Sequence, residues 1–289
     1  MKIFITGGTG FVGTTLISRL TGQGNDVSVL TRSQRKDRSP AAGVTFIEGD
    51  PTNRGQWQEE VQGHDVIINL AGASIFSRWT PRRKKLIQDS RVQTTRNLVE
   101  ALSVRKGRES LFLSTSAVGY YGFHGDEDLD ENSPPGKDFL ASVARQWEAE
   151  AVKAEEYGCR VLRCRLGIVL GQRGGALERM VPPIKWYFGS ALGDGKQWLS
   201  WIHEQDLAEI YLFLIQQKNL SGPINCSAPY PVTNKEITLA IAKALNRPIL
   251  MPPVPAFMIK LLLGEFASAL VYGQKALPRK LLDSGFQFP

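Results

Sequence analysis

Cysteine is scarce: Cys159, Cys164 and Cys226 are the only three in 289 residues, and none forms a C-x-x-C pair. So odd and sparse a set excludes a disulfide framework and offers no zinc spacing. Core packing in a reducing, cytoplasmic compartment is expected, with no metal centre. Long apolar runs are missing too. FMIKLLLGEF and ASALVYG near the C-terminus are broken by Lys260, Gly264 and Glu265, well short of the roughly 18 residues of a membrane span. No membrane partner is expected. The opening residues, MKIFITGGTG, lack the apolar core and small-residue cleavage site of a signal peptide. Acidic residues fall short of basic ones, 28 against 35, leaving a net charge of +7. Much of that excess sits in RSQRKDR (Arg32 to Arg38) and RWTPRRKK (Arg78 to Lys85). No aromatic–basic interleaving accompanies it, so these loops are expected to hold a small phosphorylated ligand or to be simply solvated, and nucleic acid is not expected.

What the chain does have is rhythm. KIFITGG, DVSVLTR, VTFIEGD, DVIINLAG, SLFLSTSA and CRVLRCRLGIVLG are short apolar or β-branched runs ending in turn residues, which predicts strands. Between them Phe11 to Thr21, GQWQEEVQG, Lys84 to Val104 and the stretch from Asp138 to about Tyr157 carry helical spacing. Alternation of this kind predicts an α/β, Rossmann-type doubly wound parallel sheet covered on both faces. After Gly171 the rhythm breaks into Gly-, Pro- and Trp-rich pieces. The expected division is an NADP-binding domain over residues 1–170, with some later segments returning to it, and a mainly substrate-binding lobe over 171–289.

Thr6 to Gly13 read TGGTGFVG, a G-x-x-G-x-x-G spacing that follows a strand and opens a helix. Gly7 permits the tight turn, Gly10 a close approach to a pyrophosphate, and Gly13 close packing of helix on strand, with Thr9, Phe11 and Val12 completing the loop. The helix N-terminus then offers free N–H groups to the phosphates. At the end of the second strand, where an acidic residue would hold a ribose 2′-hydroxyl, stand Thr31, Arg32 and Ser33. Arginine with neighbouring hydroxyls suits a 2′-phosphate, so NADP(H) is expected over NAD(H). Asp50 is placed to reach the adenine edge, Leu70, Ala71 and Gly72 to line the nicotinamide-ribose side, and Arg91 to reach the cofactor phosphates.

With these residues go LAG followed by RW, SRVQTT, STSAVGYYG, RLGIVLG with GGAL, LGDGKQWLSWIHEQDLA and NCSAPYPVTNKE. Together they resemble the extended short-chain dehydrogenase/reductases of the sugar-nucleotide epimerase class, and within it the "epimerase family protein" subgroup. The resemblance implies a doubly wound fold, bound NADP(H), and a cleft for a small-molecule substrate between the sheet and the C-terminal lobe. It implies no particular substrate. Members continue into one more short helix after the place of Pro289.

One part of the family pattern is missing. The extended enzymes carry a Tyr and, four residues on, a Lys that lowers the phenol pKa. Anchored on Glu148 in DFLASVARQWEAEA, those places hold Leu140 and Ala144, and none of the seven tyrosines has Lys four residues later. The strand-five hydroxyls Ser114, Thr115 and Ser116 are present. Tyr120, Tyr121 and His203 are candidates for the proton-transferring group, with Ser116, Tyr121 and His203 the favoured set. Gln197 and Trp198 are expected to touch substrate, with Trp186 and Trp201 walling the cleft, and Arg163 and Arg165 are weaker phosphate candidates. Three readings stay open: an oxidoreductase with a different acid or base, an epimerase-like reaction using tightly held NADP(H), and a non-catalytic NADP(H)-binding sensor or regulator of a protein partner. Oligomeric state is open as well, a homodimer pairing helices beside strands four and five being the form related folds suggest.

Overall fold

A computed structural model of the protein describes residues 1–33, 42–105, 109–172 and 174–288; Arg35, Lys36 and Arg38 of the basic segment lie outside them. The first half alternates as its patterning requires: β1 (Lys2–Thr6), α1 (Phe11–Gly22), β2 (Asp26–Thr31), β3 (Val44–Glu48), α2 (Trp57–Val61), β4 (Val66–Asn69), α3 (Pro81–Ser103) and β5 (Ser110–Ala117). Then come β6 (Asp128–Leu129), α4 (Phe139–Val152), β7 (Cys159–Leu166), β8 (Ile168–Gly171), β9 (Gly174–Gly175) and α5 (Leu177–Lys185). The remainder is β10 (Trp198–Leu199), β11 (Trp201–His203), α6 (Glu204–Gln216), β12 (Gly222–Cys226), β13 (Val232–Thr233), α7 (Asn234–Ala244), α8 (Ala256–Leu263), α9 (Ser268–Val271), β14 (Lys275–Ala276) and α10 (Arg279–Asp283).

Seven strands form one parallel sheet in the order β12-β7-β5-β4-β1-β2-β3. Strand order reverses beside β1, and in such sheets the crevice at the carboxyl ends of the strands is where ligands bind. Helices cover both faces because the strands are apolar on both. Ile3, Ile5, Val29 and Ile68 pack with α1 and α6, while Phe4, Ile67 and Phe112 pack with α2 and α3 on the other side. All three cysteines are free and buried, Cys164 and Cys226 on the α6 face.

Two features after residue 160 depart from the patterning. CRVLRCRLGIVLG is two strands, not one strand and its loop. At Gly167 the chain runs so close to Ser200 that an added Cβ would lie 2.7 Å from its carbonyl oxygen. Beyond that contact β8 leaves the sheet to pair with β11 and β9. GPINC, too rich in Gly and Pro to be read as a strand, is β12, the sheet's outer strand beside β7. Helix boundaries follow local chemistry: α3 starts at Pro81 because the Thr80 hydroxyl accepts from the Arg83 N–H and proline suits the first helical position. The helix α4 stops at Val152 and continues as a 3-10 turn to Tyr157.

Between these pieces lies a smaller lobe. Ile184 of α5 packs on Ile237 and Ile241 of α7. The segment with α8 and α9 lies over the loop after β4, with Phe266 buried against Trp79 and Ile87. Among the described residues no helix is long and apolar enough to cross a membrane.

Candidate functional site

The glycine loop is shaped by close backbone approach. Gly7 has φ +70, and a Cβ there would sit 2.7 Å from the Leu70 carbonyl carbon. At Gly13 a Cβ would meet the Gly7 oxygen at 2.5 Å. These contacts bring the loop after β1 against Leu70 and Ala71 after β4, and set α1 down on its strand. Thr6, Asn69 and Thr95 form a buried hydrogen-bond chain that fixes the same junction: the Thr6 hydroxyl donates to Asn69 Oδ1 at 2.7 Å, and Asn69 Nδ2 donates to Thr95 Oγ1 at 2.9 Å. Side chains cap α3, α4, α6 and α7 at their starts, from Thr80, Asp138, His203 and Thr233. Nothing caps α1 in that way, and no acidic residue stands in its first turn. Its leading amides therefore face the loop's open side with an uncompensated positive dipole, the arrangement that holds a phosphate. Thr9 and Gly10 are exposed there. Phe11 is turned away, packed so tightly on Gly174 that an added Cβ would lie 2.8 Å from its ring.

At the adjoining edge Arg32 and Ser33 are exposed, and the Thr31 hydroxyl donates back to the Ser33 carbonyl at 3.1 Å. Asp50 shapes its own loop: Oδ1 accepts from the Thr52 amide and hydroxyl, and Oδ2 from Asn53 Nδ2. Its carboxylate is thus engaged locally.

Beyond Gly72, two expectations meet different geometry. The Arg91 guanidinium lies against Gly72 and donates to the carbonyls of Ala73 and Ile87, both at 3.0 Å. Burial lowers its pKa to about 10. Arg91 thus braces the LAG loop, over the Trp147 ring, with Nη1 committed to these two carbonyls. Leu140 is half-buried in an apolar cluster with Ile75, Phe139, Leu263 and Leu270, while Ala144 is buried. A Cβ on Gly119 would lie 3.6 Å from Leu140 Cβ, so the GYYG turn lies beside that helix face.

That turn carries the largest buried polar network of the site. Arg165 Nε and Nη2 grip Glu148 Oε1 and Oε2 at 2.8 and 2.9 Å, and both side chains are almost wholly excluded from water. Burial opposes the Arg165 charge, but Glu148 outweighs it and holds the pKa above the ordinary value. The Ser116 hydroxyl donates to Glu148 Oε1 at 2.8 Å. Arg165 Nη1 donates to the Tyr121 oxygen at 2.9 Å, and the Tyr121 hydroxyl donates to Asn225 Oδ1 at 2.7 Å. Burial pushes the Tyr121 pKa up to about 12, against the opposing pull of Arg165. Ser116 and Tyr121 are therefore brought together, but inside the protein, their hydroxyls consumed by Glu148 and Asn225. This corrects the expectation that Tyr121 exchanges protons with a substrate, since it is 0% exposed. Tyr120 is half-buried instead, its ring centroid 3.5 Å from the Arg165 guanidinium. Glu148 and Arg165 were legible only as a helix anchor and a weak phosphate candidate; an acid and an arginine on apolar elements are the signal that they pair.

His203 belongs to another group. It ends β11 and accepts the Gln205 N–H at the start of α6. Its neighbour Glu204 accepts from Thr15 of α1 at 2.8 Å, so His203 stands on the α1 side, apart from the Arg165 network. Gln197 is buried and its amide donates to the carbonyls of Leu192 and Leu270, tying two loops of the smaller lobe. Trp198 donates to Asp126, with Lys275 over its ring. Trp186 is 69% exposed. Ser114, in register with Asn69, is the strand-five hydroxyl that is buried without a partner among the described residues.

Comparison with known proteins follows the same outline. The family model described as NAD dependent epimerase/dehydratase family matches residues 3–227, and a domain of unknown function (DUF1731) matches residues 254–289. The chain is 40% identical over 290 residues to an epimerase family protein SDR39U1 homolog, chloroplastic, of Arabidopsis thaliana, covering 100% of this chain and 83% of that one. It is 39% identical to the epimerase family protein YfhF of Bacillus subtilis, covering 100% and 94%. Among solved structures, the human epimerase family protein SDR39U1 (isoform2) with NADPH superposes with a TM-score of 0.83 at 29% identity, covering 100% of this chain and 95% of that one.

Proposed function

The chain belongs to the NAD dependent epimerase/dehydratase family and is an NAD(P)-binding protein, and from that premise we propose that it binds NADP(H) and carries out an oxidoreductase or epimerase-like reaction on a small molecule. The observation that carries the proposal is the uncapped N-terminus of α1 behind Gly7, Gly10 and Gly13, joined to Arg32 at the adjacent strand end. The residues fit the group. A Cβ added at Gly10 would meet only the Gly7 oxygen, at 3.2 Å, so no other group fills the cradle where a pyrophosphate would lie. Arg32 and Ser33 would hold the 2′-phosphate, an acid being absent there. The human relative's structure with NADPH supports the same choice. When bound, the nicotinamide supplies hydride acceptance or donation.

The chain's own residues do the rest. Arg91 holds Gly72 and Ala73 in place as a flat floor. Tyr120 handles the proton: it is the half-buried phenol of the GYYG turn, beside the helix face where the usual tyrosine would stand, and it rests on a cation. Arg165 takes the place of the missing lysine as the positive charge beneath a phenol. Ser116, Glu148, Tyr121 and Asn225 are positioning residues that hold Arg165 flat.

A second reading, a non-catalytic NADP(H)-binding regulator, draws on the apolar filling around Leu140 and on the internal commitment of Ser116 and Tyr121. One experiment separates the two. The protein is titrated with NADPH and with NADH, and nicotinamide absorbance is then followed as fractionated cell metabolites are added. NADPH binding with a fraction-dependent change that Tyr120→Phe abolishes supports the enzyme. Tight NADPH binding with no change in any fraction supports the regulator. Equal or stronger binding of NADH overturns the NADP(H) assignment.

A further inference from the structure

The helix α8 is apolar and almost uncovered. Of AFMIKLLL only Ile259 is buried, while Phe257, Leu261 and Leu262 are 71%, 76% and 69% exposed. A second apolar segment lies alongside the approach to it. The chain from Tyr187 to Gly193 is fastened to residues 247–254: Arg247 donates to the Tyr187 hydroxyl and stacks on its ring, Ser190 Oγ donates to the Pro252 carbonyl, and Gly193 N donates to the Val254 carbonyl. Phe188 and Leu250 within these strips, and Trp186 just before the first, are 72%, 64% and 69% exposed. Tyr187 between the two aromatics has φ 65, a left-handed conformation that costs a non-glycine residue energy and persists only where surroundings impose it. Exposed aromatic and aliphatic side chains of this size normally mark a contact surface.

The charge around them says with what. Residues 179–190 and 243–263 contain Arg179, Lys185, Lys243, Arg247 and Lys260 and no Asp or Glu, Glu178 and Asp194 flanking the first strip and Arg78 lying against Gly264 at the end of α8. The first acid past α8, Glu265, is neutralised by Lys84. Apolar side chains including Trp and Phe, set where cations outnumber acids, match the headgroup region of an anionic bilayer: the apolar groups enter the acyl boundary and the cations meet lipid phosphate. A protein partner would instead be expected to meet mixed charges at a polar rim.

We propose that α8 and the Trp186–Phe188 turn form a surface that docks this protein peripherally on anionic lipid. The absence of a spanning helix bears only on crossing a membrane, and the expectation of no membrane partner rested on that absence. Exposure of α8, which no periodicity revealed, is the ground for proposing otherwise.

The test is co-sedimentation of the full chain with vesicles of phosphatidylglycerol and of phosphatidylcholine. The expected result is binding to phosphatidylglycerol, weaker binding to phosphatidylcholine, and release by salt. Phe257→Ser with Leu261→Ser should cut partitioning at least about tenfold, because exposed groups that would enter the acyl boundary are made polar. Lys185→Glu with Lys260→Glu should do the same while leaving the apolar face intact. All four positions are exposed, so the melting temperature should not move. No binding to phosphatidylglycerol, or binding that both variants retain, overturns the proposal. So does a wild-type dimer that the serine variant converts to monomer without loss of vesicle binding, which would make the face an interface between two copies.

Discussion

The Arg165 guanidinium stands 3.5 Å from the centroid of the Tyr120 ring and 5.0 Å from that of Tyr121. One cation thus serves two adjacent phenols with opposite fates. Tyr121 spends its hydroxyl on Asn225 and accepts from Arg165, while Tyr120 offers only its ring. Replacing each by Phe should therefore have different consequences. In Tyr120→Phe the ring stays on Arg165, so stability is expected to hold while turnover falls about 10²- to 10⁴-fold, the usual worth of a positioned acid or base. In Tyr121→Phe the Asn225 oxygen and an Arg165 N–H lose their partner in a dry interior, at a cost of about 1–3 kcal/mol. Turnover per folded molecule should survive. Urea denaturation beside nicotinamide absorbance checks both; a Tyr121→Phe variant of full stability but no activity would reverse the roles.

Glu148 is the counterweight to Arg165. Its side chain is 4% exposed and that of Arg165 2%, so neither charge can turn to water if the other is removed. Glu148→Ala is expected to cost about 3–5 kcal/mol, the penalty for stranding one member of a buried ion pair. Glu148→Gln, which keeps an acceptor for Arg165, should cost less. Equal midpoints for the wild type and Glu148→Ala in a denaturant titration would show that the pair contributes nothing net.

Much of the fold was legible because period and punctuation were local. Ile3, Ile5, Val29 and Ile68 sit on β-branched runs ending in turn residues, and their strands fall where the patterning puts them. Gly7 and Gly13 were legible for the same reason, since a strand precedes and a helix follows. What escaped was decided by contacts between distant segments. Gly167 splits a continuous apolar run because Ser200 lies against it, 33 residues away in sequence, and no window around Gly167 contains that fact. The Arg91 Nη1 bond to the Ala73 carbonyl was not legible because its place against Gly72, far off in sequence, decides that partner. Tyr120 and Tyr121 are adjacent and identical in type; only the position of Asn225, on a strand too Gly- and Pro-rich to read, tells the buried one from its neighbour.

The cofactor end of the site separates shape from charge. Gly13→Ala would place a methyl 2.5 Å from the Gly7 oxygen, against backbone that cannot give way. Binding of NADPH and NADH should both fall, and stability with them. Arg32→Asp changes no packing, since Arg32 is exposed. It should leave stability and NADH binding nearly unchanged while weakening NADPH binding about ten- to hundredfold, the worth of one or two charge-assisted hydrogen bonds. Fluorescence titration of both cofactors against both variants distinguishes the effects. An Arg32→Asp variant that still prefers NADPH would place the 2′-phosphate elsewhere.

Alkaline pH offers a readout of the buried phenol that needs no substrate. Burial raises the Tyr121 pKa from 10.0 to about 12. The folded state therefore keeps its proton where the unfolded chain has released it, and folding is favoured by the neutral form. That contribution is complete below pH 10, where both states are protonated, and is lost progressively as pH rises toward about 12, because deprotonation of the unfolded chain pulls the equilibrium that way. The slope of one proton is about 1.4 kcal/mol per pH unit, so roughly 2–3 kcal/mol should disappear across the window. Tyr211, pushed well above 10.0 by complete burial, adds to the same limb and titrates in wild type and variant alike. The difference between wild type and Tyr121→Phe isolates the one phenol. Their urea midpoints should be furthest apart below pH 10 and converge as pH rises. Parallel curves would mean that Tyr121 ionises in the folded protein as it does in water, and that burial does not hold it in the neutral form against the pull of Arg165.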